Sequence, residues 1–343
     1  MSLFTLGGKD IGIDLGTSNI IVTLKGKGII LREPSVVAID RRTEKIVATG
    51  KEAKEMLGRT PETIKAVKPL KNGVIADFTA TKLLLKNIFK KISSRYNIRR
   101  PRVIVGVPSG ITEVEERAVE ESIMQAGARE VYLIEEPMAA AIGAGIHVEE
   151  PTGSMIIDLG GGVTEVAVIS LGGIAVCNSL RIAGDELDQD IVEYMRKHEN
   201  LSIGLTTAEE IKMEIGCAMP LISTQTMEIR GRDLNTGLPR NVVIDSNQVL
   251  DAMQESLDKI VKAVKGALEK TPPELSADLV ERGMVLSGGG ALIKNLDQLL
   301  EKATNMSVYV SNEPLYSVVK GIGKSLEEIE KIKSKLVNSR MRR

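Results

Sequence analysis

The sequence has 343 residues, of which 43% are hydrophobic, and its formal net charge at pH 7 is −1. This length predicts two domains with sizeable cores, and the balanced charge argues against binding of nucleic acid through a broad basic face. Cys177 and Cys217 are far apart and the two histidines stand alone, so neither a disulfide framework nor a His/Cys metal site is expected. Both cysteines are interpreted as core residues of a protein in a reducing cytoplasm. We expect no signal peptide and no spanning helix, because no apolar run approaches roughly 18 residues.

The first strong pattern is a strand, a glycine turn and a second strand at residues 9–24, KDIGIDLGTSNIIVTL. An apolar strand leads to Asp14, Gly16 and Thr17 form the turn, and a β-branched strand returns. Glycine adopts conformations closed to other residues and lets the backbone approach a ligand closely. Residues 29–39 and 45–48 read as further strands, and strands that follow one another before a long helix predict a mixed sheet.

The next segments alternate between helix and strand. The spacing of Leu84, Ile88 and Ile92 predicts a helix over residues 81–96, and residues 101–107 read as a buried strand. Thr112 and Glu115 have the spacing of a capping box at the start of another helix.

A strand at residues 130–134 is followed at once by Glu135, Glu136 and Pro137. Pro137 suits the first turn of the following helix, which places Glu136 at a strand-to-helix junction. An acid at a helix start usually complements the helix dipole. Beside a phosphate site it is instead a candidate to orient the attacking water.

The central pattern, MIIDLGGGVTEVAVISL at residues 155–171, repeats the order of the first hairpin: a strand, an aspartate, a glycine turn and a second strand. An apolar strand leads to Asp158, Gly160–Gly162 form the turn, and an alternating strand returns. Backbone N–H groups in such turns donate to phosphate oxygens, and a neighbouring carboxylate can hold a divalent cation through water. Two such hairpins facing one another would clamp a nucleoside triphosphate. The pair resembles the phosphate loops of the actin, sugar kinase and Hsp70 ATPase superfamily.

Three further predictions concern the second half of the chain. A helix over residues 206–218 begins at a threonine cap and carries Glu209 and Lys212 on one face, either as a surface ion pair or near a ribose and base. Residues 227–232 and 241–245 read as a hairpin, and residues 248–268 as an amphipathic helix. After a strand at residues 284–286, a third glycine turn at Gly288–Gly290 is predicted to open a helix over residues 291–303.

The ordered motifs resemble the MreB/Mbl family of bacterial actins from residue 9 to about residue 325. They are IDLGTSN, VGVPSGITEVEERA, LIEEPMAAAIGAG, IDLGGGVTEVAV, TAEEIKMEIG and LSGGGALI. The resemblance implies the α/β fold of actin-like ATPases: two lobes, each with a mixed β-sheet and flanking helices, built on a duplicated ribonuclease H-like core and divided into four subdomains. The expected lobes are residues 1–150 and 151–325, with the C-terminal segment packing back on the first lobe and residues 326–343 forming a charged tail.

The resemblance also implies a function. Members bind ATP and Mg²⁺, polymerise into double filaments on the inner face of the cell membrane and help organise the cell-wall elongation machinery of elongated cells. The implied partners are therefore further copies of this chain, the inner membrane surface and that machinery, without nucleic acid. The implied enzyme activity is slow ATP hydrolysis coupled to filament dynamics.

Site residues carry over by motif. The resemblance assigns Asp14 and Asp158 to the metal, and it gives Glu136 and Thr164 as the catalytic candidates. The implied cofactor-binding residues are Gly16, Thr17, Ser18, Gly160, Gly161, Gly162, Glu209, Glu210, Lys212, Gly288, Gly289, Gly290 and Ala291.

Two departures from the family pattern affect these expectations. Val163 stands where the family usually has a threonine that helps to hold the hydrolytic water, and Thr164 points to the other strand face in a regular hairpin. Hydrolysis is therefore expected to be slow. At residues 97–101, NIRRP has only Ile98 where members often carry two bulky apolar residues for membrane insertion. Attachment is then expected to use Ile98 with the following arginines and the N-terminal residues Leu3, Phe4 and Leu6.

Two other functions on the same fold are an Hsp70-like chaperone ATPase and a small-molecule kinase. A chaperone appends a long substrate-binding region, whereas only a charged segment at residues 327–343 follows the predicted fold here. A kinase needs a substrate base and pocket, which no motif identifies.

Overall fold

The structure is a computed structural model that describes residues 9–332, with backbone alone at residues 331 and 332. It divides into two compact units. Within the described residues, unit 1 comprises residues 9–146 and 316–332, and unit 2 comprises residues 147–315. The segment after residue 315 belongs to unit 1, where its apolar residues Val319, Ile322 and Leu326 are buried.

The strands are β1 (Ile11–Leu15), β2 (Asn19–Leu24), β3 (Gly28–Pro34), β4 (Val37–Asp40), β5 (Ile46–Thr49), β6 (Ile64–Val67), β7 (Leu70–Lys71), β8 (Val74–Ile75), β9 (Arg102–Val107), β10 (Glu130–Glu135), β11 (Ser154–Leu159), β12 (Thr164–Ser170), β13 (Gly173–Leu180), β14 (Leu201–Ser202), β15 (Thr226–Asp233), β16 (Pro239–Asp245), β17 (Met284–Ser287) and β18 (Val308–Val310). The helices are α1 (Lys51–Glu55), α2 (Phe78–Tyr96), α3 (Glu113–Ala126), α4 (Glu136–Ala144), α5 (Gly184–His198), α6 (Leu205–Ile215), α7 (Ser246–Lys270), α8 (Pro273–Arg282), α9 (Leu296–Thr304), α10 (Ser317–Glu327) and α11 (Ile329–Ile332).

Each unit contains a mixed five-stranded sheet, and the two sheets have the same order. In unit 1 the order is β3-β2-β1-β9-β10, and in unit 2 it is β13-β12-β11-β17-β18. In both, three antiparallel strands joined in sequence are followed by two parallel ones. The glycine turn joins the first two strands in each unit, so the two turns occupy equivalent positions in the two sheets.

The helices of unit 1 follow the predicted patterns closely. Helix α2 begins after Asp77, whose side chain accepts a hydrogen bond from the Ala80 N–H at 2.9 Å, and its predicted apolar face is buried. The capping box of Thr112 and Glu115 at the start of α3 is confirmed. The strand predicted over residues 29–39 is instead two strands, because β3 ends at Pro34 and β4 begins at Val37 in another sheet.

Unit 2 packs helices α5, α6 and α7 around its sheet, and the predicted hairpin and long helix appear as β15, β16 and α7. The helix predicted over residues 291–303 is wrong at its start. A 3-10 turn spans Gly289–Leu292, Ile293 is extended, and α9 begins only after Asn295, which is left-handed. The Lys294 carbonyl accepts a hydrogen bond from the Ala218 N–H, which competes with helical bonding. Among residues 9–332, no helix is both long and apolar enough to cross a membrane.

Candidate functional site

The second glycine turn is a tight hairpin connection between β11 and β12. The Gly160 N–H donates to the Val163 carbonyl at 2.9 Å, which closes the turn. Met155, Ile157 and Leu159 belong to the core of unit 2. Because side chains alternate along a strand, Asp158 lies on the opposite face of the sheet from these core residues.

Asp158 is a buried carboxylate at the end of β11. It is 5% exposed, and burial raises its pKa to about 6, with the nearby Ser287 hydroxyl acting in the opposite direction. Among the residues that the structure describes, no group donates a hydrogen bond to its Oδ1 atom. A buried carboxylate oxygen without a donor is costly, and a cation with its water shell would relieve that cost.

Helix α5 supports the second turn through its first residues. The Gly184 N–H donates to the Gly160 carbonyl at 3.2 Å, and the Asp185 N–H donates to the Gly161 carbonyl at 2.7 Å. These donors belong to the first turn of α5 and have no acceptor within the helix. The turn carbonyls are therefore held on the side of α5.

Lys212 of α6 reaches the same place. Its Nζ atom donates to the Gly184 carbonyl at 2.6 Å and lies 2.7 Å from Oδ1 of Asp188. Lys212 thus contacts Gly184, the residue of α5 whose N–H donates to the second glycine turn. Glu209 is half-buried one turn earlier in α6 and Glu210 is exposed. The predicted threonine cap of this helix is wrong, because α6 begins at Leu205 after Gly204, without a side-chain cap.

Asp188 escaped the sequence interpretation, although a signal was present. It lies three and seven residues before Ile191 and Met195, and all three are buried on one face of α5. An acidic residue at a core position of an amphipathic helix indicates a buried partner. Motif matching alone did not reveal this position.

The third glycine turn packs directly on β11. Gly288 has φ +80°, its N–H donates to the Pro314 carbonyl at 3.1 Å, and a Cβ atom there would lie 2.3 Å from the Leu159 carbonyl oxygen. A Cβ atom at Gly290 would lie 1.4 Å from Cδ2 of Leu159. Glycine is therefore required at both positions, and the exposed Gly289 and the buried Ala291 are held beside the second turn.

The first glycine turn, in unit 1, is supported by hydroxyl groups. The Ser35 hydroxyl donates to the Gly16 carbonyl at 2.6 Å, and the Ser35 N–H donates to the Ser18 carbonyl at 3.0 Å. Oγ1 of the buried Thr17 accepts a hydrogen bond from the Gly73 N–H at 3.1 Å. Asp14 is half-buried at the end of β1, before this turn.

Glu136 is the first residue of α4 and follows β10, as the sequence indicated. Its side chain is half-buried and lies beside Gly106 of β9, where a Cβ atom would come within 3.3 Å of the Glu136 Cγ atom. This lack of a side chain at Gly106 leaves room for the stem of Glu136.

The structure places Thr164 and Ile98 in surroundings that differ from those predicted from the sequence. Thr164 is fully buried, and its hydroxyl donates to the Ile182 carbonyl at 2.6 Å, which favours a structural role over the predicted catalytic one. Ile98 is 3% exposed in the core of unit 1, so the predicted apolar wedge at this position is wrong. Leu3, Phe4 and Leu6 lie outside the described residues.

Comparisons with known proteins agree with the motifs. A family model described as MreB/Mbl protein matches residues 8–334. The cell shape-determining protein MreB of Escherichia coli (strain K12) is 53% identical over 326 residues, which cover 94% of each chain. The crystal structure of MreB5 of Spiroplasma citri bound to ADP has a TM-score of 0.91 at 37% identity and covers 95% of this chain and 98% of that chain.

A second structure of MreB5 of Spiroplasma citri, bound to AMPPNP, has a TM-score of 0.89 at 36% identity and covers 96% of this chain and 98% of that chain. The predicted actin-like α/β fold with two sheet-containing lobes is confirmed. The family model, the curated relative and both structures match nearly the whole length of the chain, and it belongs to the MreB/Mbl family.

Proposed function

We propose that this protein is a nucleotide-dependent, filament-forming determinant of cell shape. The single observation that carries the proposal is its 53% identity, over 94% of both chains, to a cell shape-determining MreB. Family membership does not favour the chaperone or kinase alternatives. The partners expected with this function are further copies of the chain, the inner face of the cell membrane and the cell-wall elongation machinery.

The nucleotide is ATP, which is supported by the relatives solved with ADP and AMPPNP. In unit 2, the turn Gly160–Gly162 offers backbone N–H groups to phosphate oxygens, and Gly288–Ala291 with Glu209 offer a surface for the nucleoside. In unit 1, Gly16, Thr17 and Ser18 supply a second phosphate turn. The binding residues proposed for unit 1 and those proposed for unit 2 are assigned separately.

The residues fit a Mg²⁺ ion that is held largely by water and phosphate. No group of three or more potential ligand side chains occurs among residues 9–332, but Asp158 presents a buried oxygen without a donor. Mg²⁺ typically uses one or two carboxylates and retains waters and phosphate oxygens. We therefore propose that Asp158 would hold Mg²⁺ in unit 2, and separately that Asp14, at the equivalent strand end of unit 1, is suited to the same role. A bound Mg²⁺ would neutralise phosphate charge.

Glu136 is the proposed residue that orients the attacking water. It begins a helix at a strand end, and a half-buried carboxylate there can accept a proton or a hydrogen bond from water. Thr164 contributes stability to the hairpin instead, because its hydroxyl is already engaged with the Ile182 carbonyl. Hydrolysis is expected to be slow, since Val163 provides no hydroxyl for the water.

The test of filament formation is sedimentation of the purified chain with ATP, ADP and AMPPNP, together with nucleotide titrations. We expect pelleting with ATP, weakened nucleotide binding in Asp158→Ala, and normal binding without turnover in Glu136→Ala. Asp251→Ala, an exposed acid of α7, serves as a control. A wild-type chain that binds no nucleotide, or that never sediments with any of them, would contradict the proposal.

Attachment to an anionic membrane is supported by a basic cluster in unit 1, defined as the exposed residues Lys9, Lys27, Arg95, Arg99 and Arg100. Lys9 donates to the Tyr96 carbonyl at 2.7 Å, and the cations of Lys27 and Arg95 lie 4.6 and 5.5 Å from the Tyr96 ring centroid. Each basic side chain near anionic lipid contributes about 1 kcal/mol, and a filament multiplies this weak attraction.

Liposome flotation with anionic and neutral lipid tests this attachment. Because Ile98 is buried, the described part of the surface around residues 97–101 offers charge and no apolar wedge. We expect binding to anionic vesicles that salt weakens and that Arg99→Glu with Arg100→Glu reduces. Equal binding to neutral vesicles at high salt would overturn the electrostatic account.

A further inference from the structure

Helix α5 carries a buried carboxylate that the proposed nucleotide site does not use directly. Asp188 is 4% exposed, and burial raises its pKa to about 6. Lys212 lowers this pKa, whereas the carboxylates of Glu209 and Asp185 raise it. Replacing a buried ion pair with packed apolar residues is often neutral or stabilising, so stability alone does not account for an acid at this position.

The lysine opposite Asp188 connects two helices and one carbonyl. Nζ of Lys212, on α6, lies 2.7 Å from Oδ1 of Asp188 and 2.6 Å from the carbonyl oxygen of Gly184, the first residue of α5. The Lys212 side chain is 13% exposed, so little water competes for these contacts. One donor of the ammonium group is directed to the Gly184 carbonyl, and the contact with Oδ1 of Asp188 is an ion pair. Asp188 thus fixes where the ammonium group lies.

The contact with Gly184 continues to the second glycine turn. The Gly184 N–H donates to Gly160, and the next N–H along α5 donates to Gly161. Gly184 is closely packed, since a Cβ atom there would lie 3.3 Å from the Gly160 carbonyl oxygen and 3.4 Å from Nζ of Lys212. The Gly184 carbonyl that Lys212 binds belongs to the same peptide unit as the Asp185 N–H. A shift of the ammonium group would therefore shift the donor to the Gly161 carbonyl directly, and the donor to the Gly160 carbonyl through the adjoining peptide unit.

The third glycine turn has separate support. Gly288 bonds to the Pro314 carbonyl and packs against Leu159, without a hydrogen bond or ion pair to Asp188 or Lys212 among the described residues. The two ends of a bound nucleotide would thus rest on differently supported parts of unit 2. Loss of the Asp188 carboxylate should disturb the phosphate end more than the nucleoside end.

We propose that Asp188 is a positioning residue for the polyphosphate of the nucleotide: it holds Lys212 against Gly184 and so keeps the turn Gly160–Gly162 in its phosphate-binding shape. The inference rests on the proposed nucleotide-binding function and deepens it. The chemical class that depends on Asp188 is the nucleoside polyphosphate, whereas a nucleoside without phosphates is largely indifferent to it.

Calorimetric titration of the full chain with Mg-ATP, ADP, AMP and adenosine tests the proposal. Asp188→Asn removes the charge but keeps the side-chain volume. We expect ATP affinity to fall about tenfold or more, as for other broken buried charge pairs, and adenosine affinity to change by less than about twofold. The size of the loss should increase with the number of phosphates.

Asp233→Asn is the matched control. Asp233 is also a buried acid of unit 2, at 6% exposure, and it pairs with Arg240 at 3.0 Å, but it accepts hydrogen bonds from the turn at Asn235 and Thr236. This control should lose stability while keeping the wild-type ratio of ATP to adenosine affinity. A merely structural role for Asp188 would give the same result as the control.

The outcomes separate the inference from the function on which it rests. If the wild-type chain does not bind ATP, the proposed function fails. If wild type binds ATP and Asp188→Asn keeps the wild-type affinity ratio, the positioning role is overturned. Should Asp188→Asn fail to fold, Asp188→Glu keeps the charge but displaces the carboxylate, and the same ratio decides: a lowered ratio supports the role and an unchanged ratio rejects it.

Discussion

The first and second glycine turns follow the same sequence pattern of strand, aspartate and glycine turn, but different groups support them. In unit 1, Ser35 and Gly73 hold the turn through one hydroxyl donor and one hydroxyl acceptor. In unit 2, backbone N–H groups of α5 hold the turn, and the pair of Asp188 and Lys212 anchors that helix start. The first support is uncharged, whereas the second depends on two buried ions.

The difference shows that a repeated motif can occupy the same position in two sheets while different hydrogen-bonding groups support it. The two sheets share their strand order, so the strands alone fix where each turn begins and ends. The atoms behind each turn come from segments distant in sequence. The charged support makes the second turn sensitive to pH and to charge-changing substitutions, and the first turn should lack that sensitivity.

The largest expected loss of stability is steric and concerns the third glycine turn, which packs on β11. Gly288→Ala would place Cβ 2.3 Å from the Leu159 carbonyl oxygen at φ +80°, and we expect a loss of about 3 kcal/mol or more in the free energy of unfolding. Gly16→Ala, in the first turn, would place Cβ 2.7 Å from the Asn19 carbonyl oxygen without positive φ, and it should cost less.

Urea unfolding followed by circular dichroism measures both losses. Gly204→Ala is the control, because a Cβ atom there would meet nothing within 4 Å. Equal losses at residues 16 and 288 would show that positive φ and contact with Leu159 are not the dominant cost.

Local sequence patterns predicted much of the fold. Alternation and apolar spacing located the central hairpins and the buried face of α2, and Thr112 with Glu115 predicted the start of α3. These features depend on residues close in sequence. The helix predicted over residues 291–303 failed because the Lys294 carbonyl bonds to Ala218, a partner that no local pattern reveals.

The site was less predictable for the same reason. Motifs named the glycine turns and Lys212, but the direction of a side chain depends on what packs behind it. Ile98 is apolar and follows a helix end, yet it is buried in the core of unit 1. Asp188 matters through Lys212 and Gly184, and such a three-part contact between two helices becomes visible only in three dimensions.

The next expected effect is the pH dependence of the second support. The folded-state pKa of Asp188 is raised from 3.8 to about 6, so this group contributes stability below pH 3.8 that is lost as pH rises through about 6. Asp188→Asn lacks this dependence. From pH 4 to pH 7, the wild-type free energy of unfolding should therefore fall relative to the variant by about 2 to 3 kcal/mol.

Urea titrations of both proteins at several pH values measure this difference. Ser35→Ala, which alters the uncharged support of the first turn, should change stability by a similar amount at each pH. A constant difference between wild type and Asp188→Asn across this range would mean that Asp188 has no raised pKa in the folded protein.

A smaller effect is expected from Ser35→Ala itself. The fully buried hydroxyl donates to the Gly16 carbonyl at 2.6 Å, so its loss should cost about 1 to 2 kcal/mol and loosen the first turn. Ser122→Ala is a matched control, since this buried hydroxyl donates to the Ala118 carbonyl at 2.7 Å inside α3. Both variants should lose stability, but Ser35→Ala alone should weaken ATP binding in calorimetric titrations. Equal ATP affinities in the two variants would contradict a role for the hydroxyl in shaping the turn.

The smallest expected effects distinguish the two neighbouring residues that follow the second turn. Val163→Thr adds a hydroxyl to a nearly isosteric side chain, and we expect faster phosphate release with similar ATP affinity. Thr164→Val removes the hydroxyl that donates to the Ile182 carbonyl, and it should cost about 1 kcal/mol of stability without changing phosphate release per bound ATP.

Phosphate release and thermal unfolding of both variants test this assignment together. Val163 is 7% exposed, so an added hydroxyl that finds no partner would cost about 1 to 3 kcal/mol, whereas one that reaches water costs little. A faster Val163→Thr with little lost stability would indicate that position 163 contacts the hydrolytic water. Slower phosphate release in Thr164→Val would instead show that the hydroxyl bonded to Ile182 is needed for hydrolysis. The paired variants thus determine whether position 163, in the turn, or position 164, at the start of β12, contributes to turnover.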